Sequence, residues 1–465
     1  MKLEHLRKNV EGFLEELARE EYRQRAGLKE RSEQARIDKK YAYLASPDLF
    51  QEVKGMAEGV EDPKMRKGLR FLLEFLAQNT LEAEVRELYD EILSLEASLL
   101  FEVEEQTFSF RSLEAAIKNE EDRRRRQLLD EARRQGIRTL NPLLARVWER
   151  TYEAASRLGF PSYPVLFREL SGIDLLLLKK QGDELLLRTE DMYADLLQWH
   201  LKKRLGLPLK EAKRHDLARL FRAPEWDGSF PPERMRSSAE ATLQKMRIDP
   251  QAGGRIVLDD EPRPHKSPRA FVAPWKVPDR IIIVIRPMGG FSDYEAYLHE
   301  LGHALHYAYT DAALPVEFRR LGDPSVTEAY AFLMEGLLLE EGWLQRFLDL
   351  KRSLDFLRLA FLHRLYLLRR YAAKLVYELL LHDGSGFAGK AEAYRELLSR
   401  ATLVEQPWEL YLYDVDPHFY IARYWRAWLF HAHLKKYLYE RYDEEWFRND
   451  RTGPFLMELW AYGLS

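Results

Sequence analysis

Apolar side chains recur every three to four positions through most of the first two hundred residues. One such stripe runs from Leu81 to Leu99, and a second follows Asn141-Pro142 and stops at Gly159. This spacing is typical of the apolar face of an α-helix. An Asn-Pro pair is typical of an N-cap and the first helical position. The second stripe therefore predicts a helix that begins at Asn141.

The pattern changes to short runs of β-branched residues in the middle of the chain. Brief strands are predicted at Arg255–Leu258 and Ala270–Ala273, and a stronger one at Arg280–Arg286, which is bounded by prolines. Helical spacing returns after Gly289-Gly290 and continues to the end of the chain. We therefore expect a mainly α protein with a small β-sheet.

Proline and glycine become frequent between Gly206 and Pro232, which indicates a boundary. We predict an N-terminal helical subdomain over residues 1–205 and a second subdomain over residues 206–465. The N-terminal helices are expected to lie opposite the second subdomain across a deep cleft.

Composition narrows the possible partners. The chain has 465 residues, of which 46% are hydrophobic, and a net charge of −4, which argues against a general nucleic-acid binder. The basic run Arg123–Arg126 is flanked by acidic residues, so we interpret it as a solvated helix face. We find neither a signal peptide nor an apolar run long enough for a membrane span, and we predict a cytoplasmic protein with no membrane partner.

The chain contains no cysteine, so thiolate zinc sites, iron–sulfur clusters and cysteine nucleophiles are excluded. A transition metal would have to be held by histidine and carboxylate side chains.

The most informative segment is His299-Glu-Leu-Gly-His303. Two histidines at i and i+4 leave one face of a helix one turn apart, where both imidazoles can bind a zinc ion. Glu300 is rotated about 100° from His299 and is suited to act as a general base beside the metal. Ser292 with Glu295 predicts a capping box at the start of this helix.

Glu328 is a candidate third ligand, twenty-five residues after His303. If Asp323 is the N-cap and Pro324 the first helical residue, Glu328 lies in the second turn and is free to face a metal. The alternative is a capping box from Ser325 to Glu328, in which the carboxylate satisfies backbone donors only. Glu335 returns to the same face and could orient a histidine ligand, or it could be a surface carboxylate.

Three further polar residues, His306, His418 and Tyr424, each have a structural interpretation as well as a functional one. His306 lies about 10 Å along the helix axis from His299, so we expect it to pack in the core or lie on the surface rather than bind metal. His418 and Tyr424 lie in an aromatic stripe near the C-terminus, which is usually core. A buried imidazole or phenol needs a hydrogen-bond partner, and both could instead donate to an oxyanion.

The segment His299–His306 together with Glu328 resembles the zinc oligopeptidases of the thimet oligopeptidase and oligoendopeptidase F family. Pro417-His-Phe-Tyr420, followed by Tyr424, is similar to a stretch of the same family. The strand Arg280–Arg286 corresponds to the family's substrate-binding edge strand. The resemblance is specific from about Pro268 to Trp428. Angiotensin-converting-enzyme-like and carboxypeptidase Taq-like proteins share the general zinc layout and are the nearest rivals.

The resemblance implies His299, His303 and Glu328 as zinc ligands, Glu300 as the base, and His418 and Tyr424 as transition-state donors. This chain departs from oligoendopeptidase F-like members at Arg426 and Trp428, where they carry further tyrosines. The departures bear on the substrate range.

The sequence therefore predicts a zinc-dependent endopeptidase with one Zn²⁺ per chain, acting on short unstructured oligopeptides. The alternatives are a carboxypeptidase-like member of the same superfamily, a zinc-binding pseudo-peptidase without turnover, and a helical interaction protein in which the motif is fortuitous. The oligomeric state is not indicated by the sequence.

Overall fold

The computed structural model describes residues 2–351 and 353–465, which form long helices and two small sheets. The α-helices are α1 (Leu3–Arg25), α2 (Gln34–Lys40), α3 (Pro47–Glu58), α4 (Pro63–Ser98), α5 (Phe110–Asn119), α6 (Arg123–Arg157), α7 (Tyr163–Ser171), α8 (Leu175–Arg188), α9 (Glu190–Leu205), α10 (Arg214–Arg222), α11 (Pro232–Lys245), α12 (Phe291–Tyr309), α13 (Pro324–Glu335), α14 (Glu341–Leu348), α15 (Ser353–Leu381), α16 (Lys390–Thr402), α17 (Tyr420–Tyr442) and α18 (Thr452–Ala461). The strands are β1 (Leu100–Val103), β2 (Gln106–Ser109), β3 (Ile256–Asp259), β4 (Phe271–Lys276) and β5 (Arg280–Val284).

The prediction of a mainly α protein with a small sheet is confirmed. The β1–β2 hairpin was not predicted, and it interrupts the helices of the first two hundred residues. No helix among the described residues is long and apolar enough to cross a membrane.

The chain forms two compact units, each assembled from separate segments. The first unit contains Met1–Leu76, Pro224–Leu357 and Arg426–Ser465, and the second contains Ala77–Ala223 and Arg358–Trp425. The subdomain division at residue 205 and the deep cleft stay predictions.

The three-stranded sheet of the first unit has the order β3-β5-β4. β5 pairs in parallel with β3 and antiparallel with β4, and Ile285 continues the pairing through its N–H to Asp259 O. The expectation that Arg280–Arg286 is an edge strand is therefore wrong, because β5 has a neighbour on each side. Its run of β-branched residues reflects burial on both faces.

Helices α12 and α13 of the first unit begin for different reasons. The predicted capping box at Ser292 is wrong: Gly290, with φ 89°, is the N-cap of α12. The carboxylate of Asp293 instead accepts hydrogen bonds from the preceding N–H groups of Met288 and Gly289. Helix α13 begins as predicted, with Asp323 as N-cap accepting from Ser325 N and with a proline at the first position.

Helix α6 of the second unit contradicts two expectations. It is continuous through Pro142, and Asn141 lies inside it and donates to Glu409 O instead of capping a new helix. The arginine run is not wholly solvated, because Arg126 is buried and pairs with the buried Asp216 at 2.7 Å. In both cases a residue distant in sequence, Glu409 or Asp216, determines the environment of the side chain more than its neighbours in sequence do.

Candidate metal centre

Two imidazoles and one carboxylate converge in the first unit. His299 Nε2 and His303 Nε2 lie 3.2 Å apart, one turn apart on α12. Glu328 Oε2, from α13, lies 3.4 Å from His299 Nε2 and 3.7 Å from His303 Nε2. The structure thus brings together the three residues that the sequence predicted as ligands.

The close approach of α12 and α13 makes this convergence possible. A Cβ on Gly302 would lie 2.6 Å from Ala331 Cα and 2.6 Å from Tyr330 O, which no side chain tolerates. The glycine between the two histidines therefore allows α13 to pack directly against the metal-binding turn of α12. It also brings Glu328 Oε2 to within 3.7 Å of both imidazole Nε2 atoms.

The far nitrogen of each imidazole has its own partner. His299 Nδ1 lies 2.9 Å from Glu335 Oε2, and His303 Nδ1 lies 2.8 Å from Thr327 Oγ1. Such contacts fix the ring orientation and leave both Nε2 atoms directed at one point. Two imidazole nitrogens and one carboxylate oxygen within 4.8 Å of one another form a donor set that suits zinc.

The charges of the cluster also suit a cation. Burial alone would lower the pKa of His299, but hydrogen bonds to the carboxylates of Glu328 and Glu335 raise it to about 10. Burial lowers the pKa of His303 to about 4. The carboxylates of Glu328 and Glu335 therefore stabilise positive charge at His299, and a divalent cation bound at the Nε2 atoms would take the place of the imidazolium proton.

Glu300 is half-buried on the next position of α12. Burial raises the pKa of its carboxyl above the usual value, and a hydrogen bond from the N–H of Val272 on β4 opposes part of that shift. A carboxylate of increased basicity beside a metal-binding pair is suited to proton transfer.

His306 has the packing role that was expected. Its side chain is fully buried, and Nε2 lies 3.0 Å from Gly463 O. Burial lowers its pKa to about 3, so the imidazole is neutral at pH 7.

His418 and Tyr424 belong to the second unit. His418 has a left-handed backbone conformation (φ 56°), and its N–H donates to Tyr163 Oη at 2.5 Å. Its Nε2 lies 3.3 Å from Glu82 Oε1. The ring of Tyr424 stacks on Tyr371 at 5.7 Å. These contacts hold both side chains within the second unit, and their proposed catalytic roles stay predictions.

The two departures from the family pattern make contacts within the first unit. Arg426 pairs with the N-cap residue Asp323 at 3.1 Å. Trp428 is buried and stacks on Phe332 of α13. The sequence did not predict a role for Thr327 or Phe332. The available signal was their position near Glu328 on the same predicted helix.

Comparison with solved structures gives extensive matches, which include two peptidases. One is PZ peptidase A determined with an inhibitor, at 14% identity and a TM-score of 0.66, covering 98% of this chain and 88% of that one. The second match, a protein assigned as an oligoendopeptidase F, has 15% identity and a TM-score of 0.66, covering 98% of this chain and 87% of the other. The chain shares the fold of these two peptidases.

At this identity the likeness confirms the fold that the sequence resemblance implied, while function has to be argued from the site. No protein-family model matches the sequence, and the comparison with curated proteins gives no match.

Proposed function

We propose that this protein is a zinc-dependent endopeptidase that hydrolyses short unstructured oligopeptides. The observation that carries the proposal is the convergence of His299 Nε2, His303 Nε2 and Glu328 Oε2, with each Nδ1 held by a separate partner. The fold shared with PZ peptidase A and an oligoendopeptidase F supports a peptidase over an unrelated metal protein.

When bound, zinc supplies a Lewis acid that polarises the scissile carbonyl and acidifies water. Glu300 takes a proton from the attacking water while the water oxygen bonds to the carbonyl carbon. As the C–N bond breaks, Glu300 passes that proton to the leaving nitrogen, so that a carboxylic acid and an amine are released. The raised pKa of Glu300 suits both transfers.

His418 and Tyr424 are the candidate donors to the oxyanion that develops on the carbonyl oxygen. Each carries a polar hydrogen, and removal of one such donor typically slows an acyl-transfer enzyme by about a hundred- to a thousand-fold. The left-handed conformation of His418 is consistent with a role in function, because such strain is often found where a side chain is placed for binding or catalysis.

The substrate backbone is proposed to pair with β4 instead of β5. β4 is an edge strand, and Val272 on it directs its N–H to Glu300. Farther along β4, Arg320 already binds Pro274 O and Trp275 O. We therefore propose the part of β4 around Val272, which Arg320 does not bind, as the edge for an extended peptide, which needs several residues of backbone.

The test is hydrolysis of a length series of fluorogenic peptides by wild-type protein and by Glu300→Gln. We expect wild-type cleavage to be abolished by a chelator and restored by zinc. The Gln variant should keep its zinc and lose about a hundred- to ten-thousand-fold in rate. If the wild type binds a full complement of zinc and hydrolyses no peptide, the protein is a pseudo-peptidase. If it releases single residues from the C-termini of the peptides, it is a carboxypeptidase.

A further inference from the structure

An aromatic series leads from α17 to the metal cluster. The Trp428 ring stacks on Phe332 with ring centroids 4.0 Å apart and planes 17° apart. The Phe332 ring in turn meets the His299 imidazole in an edge-to-face contact, at 5.5 Å and 60°. Trp428 thus packs behind a ring that touches a candidate ligand.

Phe332 belongs to the same face of α13 as the two carboxylates that hold His299. Glu328, Phe332 and Glu335 follow one another at i, i+4 and i+7, which places them on one side of the helix. Glu328 lies 3.4 Å from Nε2 of His299, and Glu335 lies 2.9 Å from Nδ1. His299 is therefore held at both nitrogens by carboxylates and along its ring by Phe332.

Trp428 restricts the freedom of Phe332. Its side chain is buried and also meets the His431 ring, at 5.5 Å and 84°. Removing an indole from such a site leaves a cavity into which Phe332 can turn. The His299 ring would then lose one of its three supports.

We propose that Trp428 is a positioning residue for the metal centre, acting through Phe332 to hold the His299 imidazole in its ligating orientation. The inference rests on the proposed metal-dependent function. It also gives a role to a position where the family resemblance implies a tyrosine. The indole of Trp428 stacks on Phe332, where a tyrosine would instead contribute a hydroxyl.

The test is the zinc dissociation constant, measured by competition with a chromophoric chelator. Trp428→Ala should bind zinc about ten-fold more weakly than wild type, as is typical when a residue that supports a ligand is lost. Trp428→Phe keeps an aromatic ring against Phe332 and should recover most of that affinity. The control is Trp446→Ala, which removes another buried tryptophan of the same unit and should leave zinc affinity unchanged while lowering the melting temperature.

Cobalt substitution supplies a readout that general destabilisation would not move. The visible absorption bands of Co²⁺ should shift in Trp428→Ala and stay unshifted in Trp446→Ala. A double variant with Phe332→Leu should lose no more zinc affinity than Phe332→Leu alone, because Trp428 acts through that ring. If Trp428→Ala does not fold, Trp428→Leu retains more volume and tests the same point.

The outcomes separate this inference from the proposed function. Wild-type protein that binds zinc, together with Trp428 variants of unchanged affinity and spectrum, would overturn the positioning role alone. Wild-type protein that binds no zinc would overturn the proposed function and the positioning role with it.

Discussion

His303 and Thr327 are joined by a hydrogen bond of 2.8 Å between Nδ1 and Oγ1. Thr327 directly precedes Glu328, so one turn of α13 supplies both the candidate carboxylate ligand and the hydroxyl that holds the neighbouring imidazole. A metal ion held at Nε2 would leave the ring proton on Nδ1, which would then donate to Thr327 Oγ1.

Replacing Thr327 by valine keeps the shape of the side chain and removes the hydroxyl. We expect zinc to bind about ten- to a hundred-fold more weakly, because the imidazole loses the partner that fixes its tautomer and orientation. Thr310→Val is the matched control, since that buried hydroxyl bonds His306 O on α12. Equal zinc affinity in the two variants would show that Thr327 does not support His303.

Tyr424→Phe separates catalysis from packing. The ring stack on Tyr371 survives the change, while a donor to the oxyanion is lost. If Tyr424 has the proposed role, kcat should fall by about a hundred- to a thousand-fold with little change in KM. The control is Tyr420→Phe, which removes the hydroxyl of a ring that contacts Tyr424 edge to face. This variant should keep its rate. An unaffected rate in Tyr424→Phe would leave oxyanion stabilisation to His418 or to the zinc alone.

His306 should make stability depend on pH. Burial holds its folded-state pKa at about 3, below the unfolded value of about 6.5. The unfolded chain therefore binds the proton more readily, so this contribution is fully present above the unfolded pKa and is lost as pH falls toward the folded pKa.

The measurement is denaturant unfolding of metal-free wild type and His306→Gln at pH 7 and pH 5. The stability advantage of wild type should shrink by about 2 kcal/mol between the two pH values, at about 1.4 kcal/mol per pH unit below the unfolded pKa. An advantage that is constant with pH would mean that the imidazole is not held neutral.

The candidate ligands could be found in the sequence because their geometry is local. The spacing of His299 and His303 determines a shared helix face, and Asp323-Pro324 marks the start of the helix that carries Glu328. Both signals need only neighbouring residues, and the structure places the three side chains together.

Features that depend on distant partners could not be found in this way. β5 is the central strand because it pairs with β3 as well as with β4. The composition of one strand does not determine which strands lie beside it. Arg126 is buried because Asp216, 90 residues away, lies beside it. The sequence marks Trp428 as a departure from the family pattern, but its contact with Phe332 depends on how α13 and α17 pack together.

The most direct test of the metal centre is the zinc content of purified wild type, His303→Gln and His306→Gln. The two histidines lie on one helix, and only His303 directs a nitrogen at Glu328. We expect about one zinc per chain in wild type and in His306→Gln, and loss of most of the metal in His303→Gln. Full zinc occupancy in His303→Gln, or no zinc in the wild type, would contradict the assignment of this site.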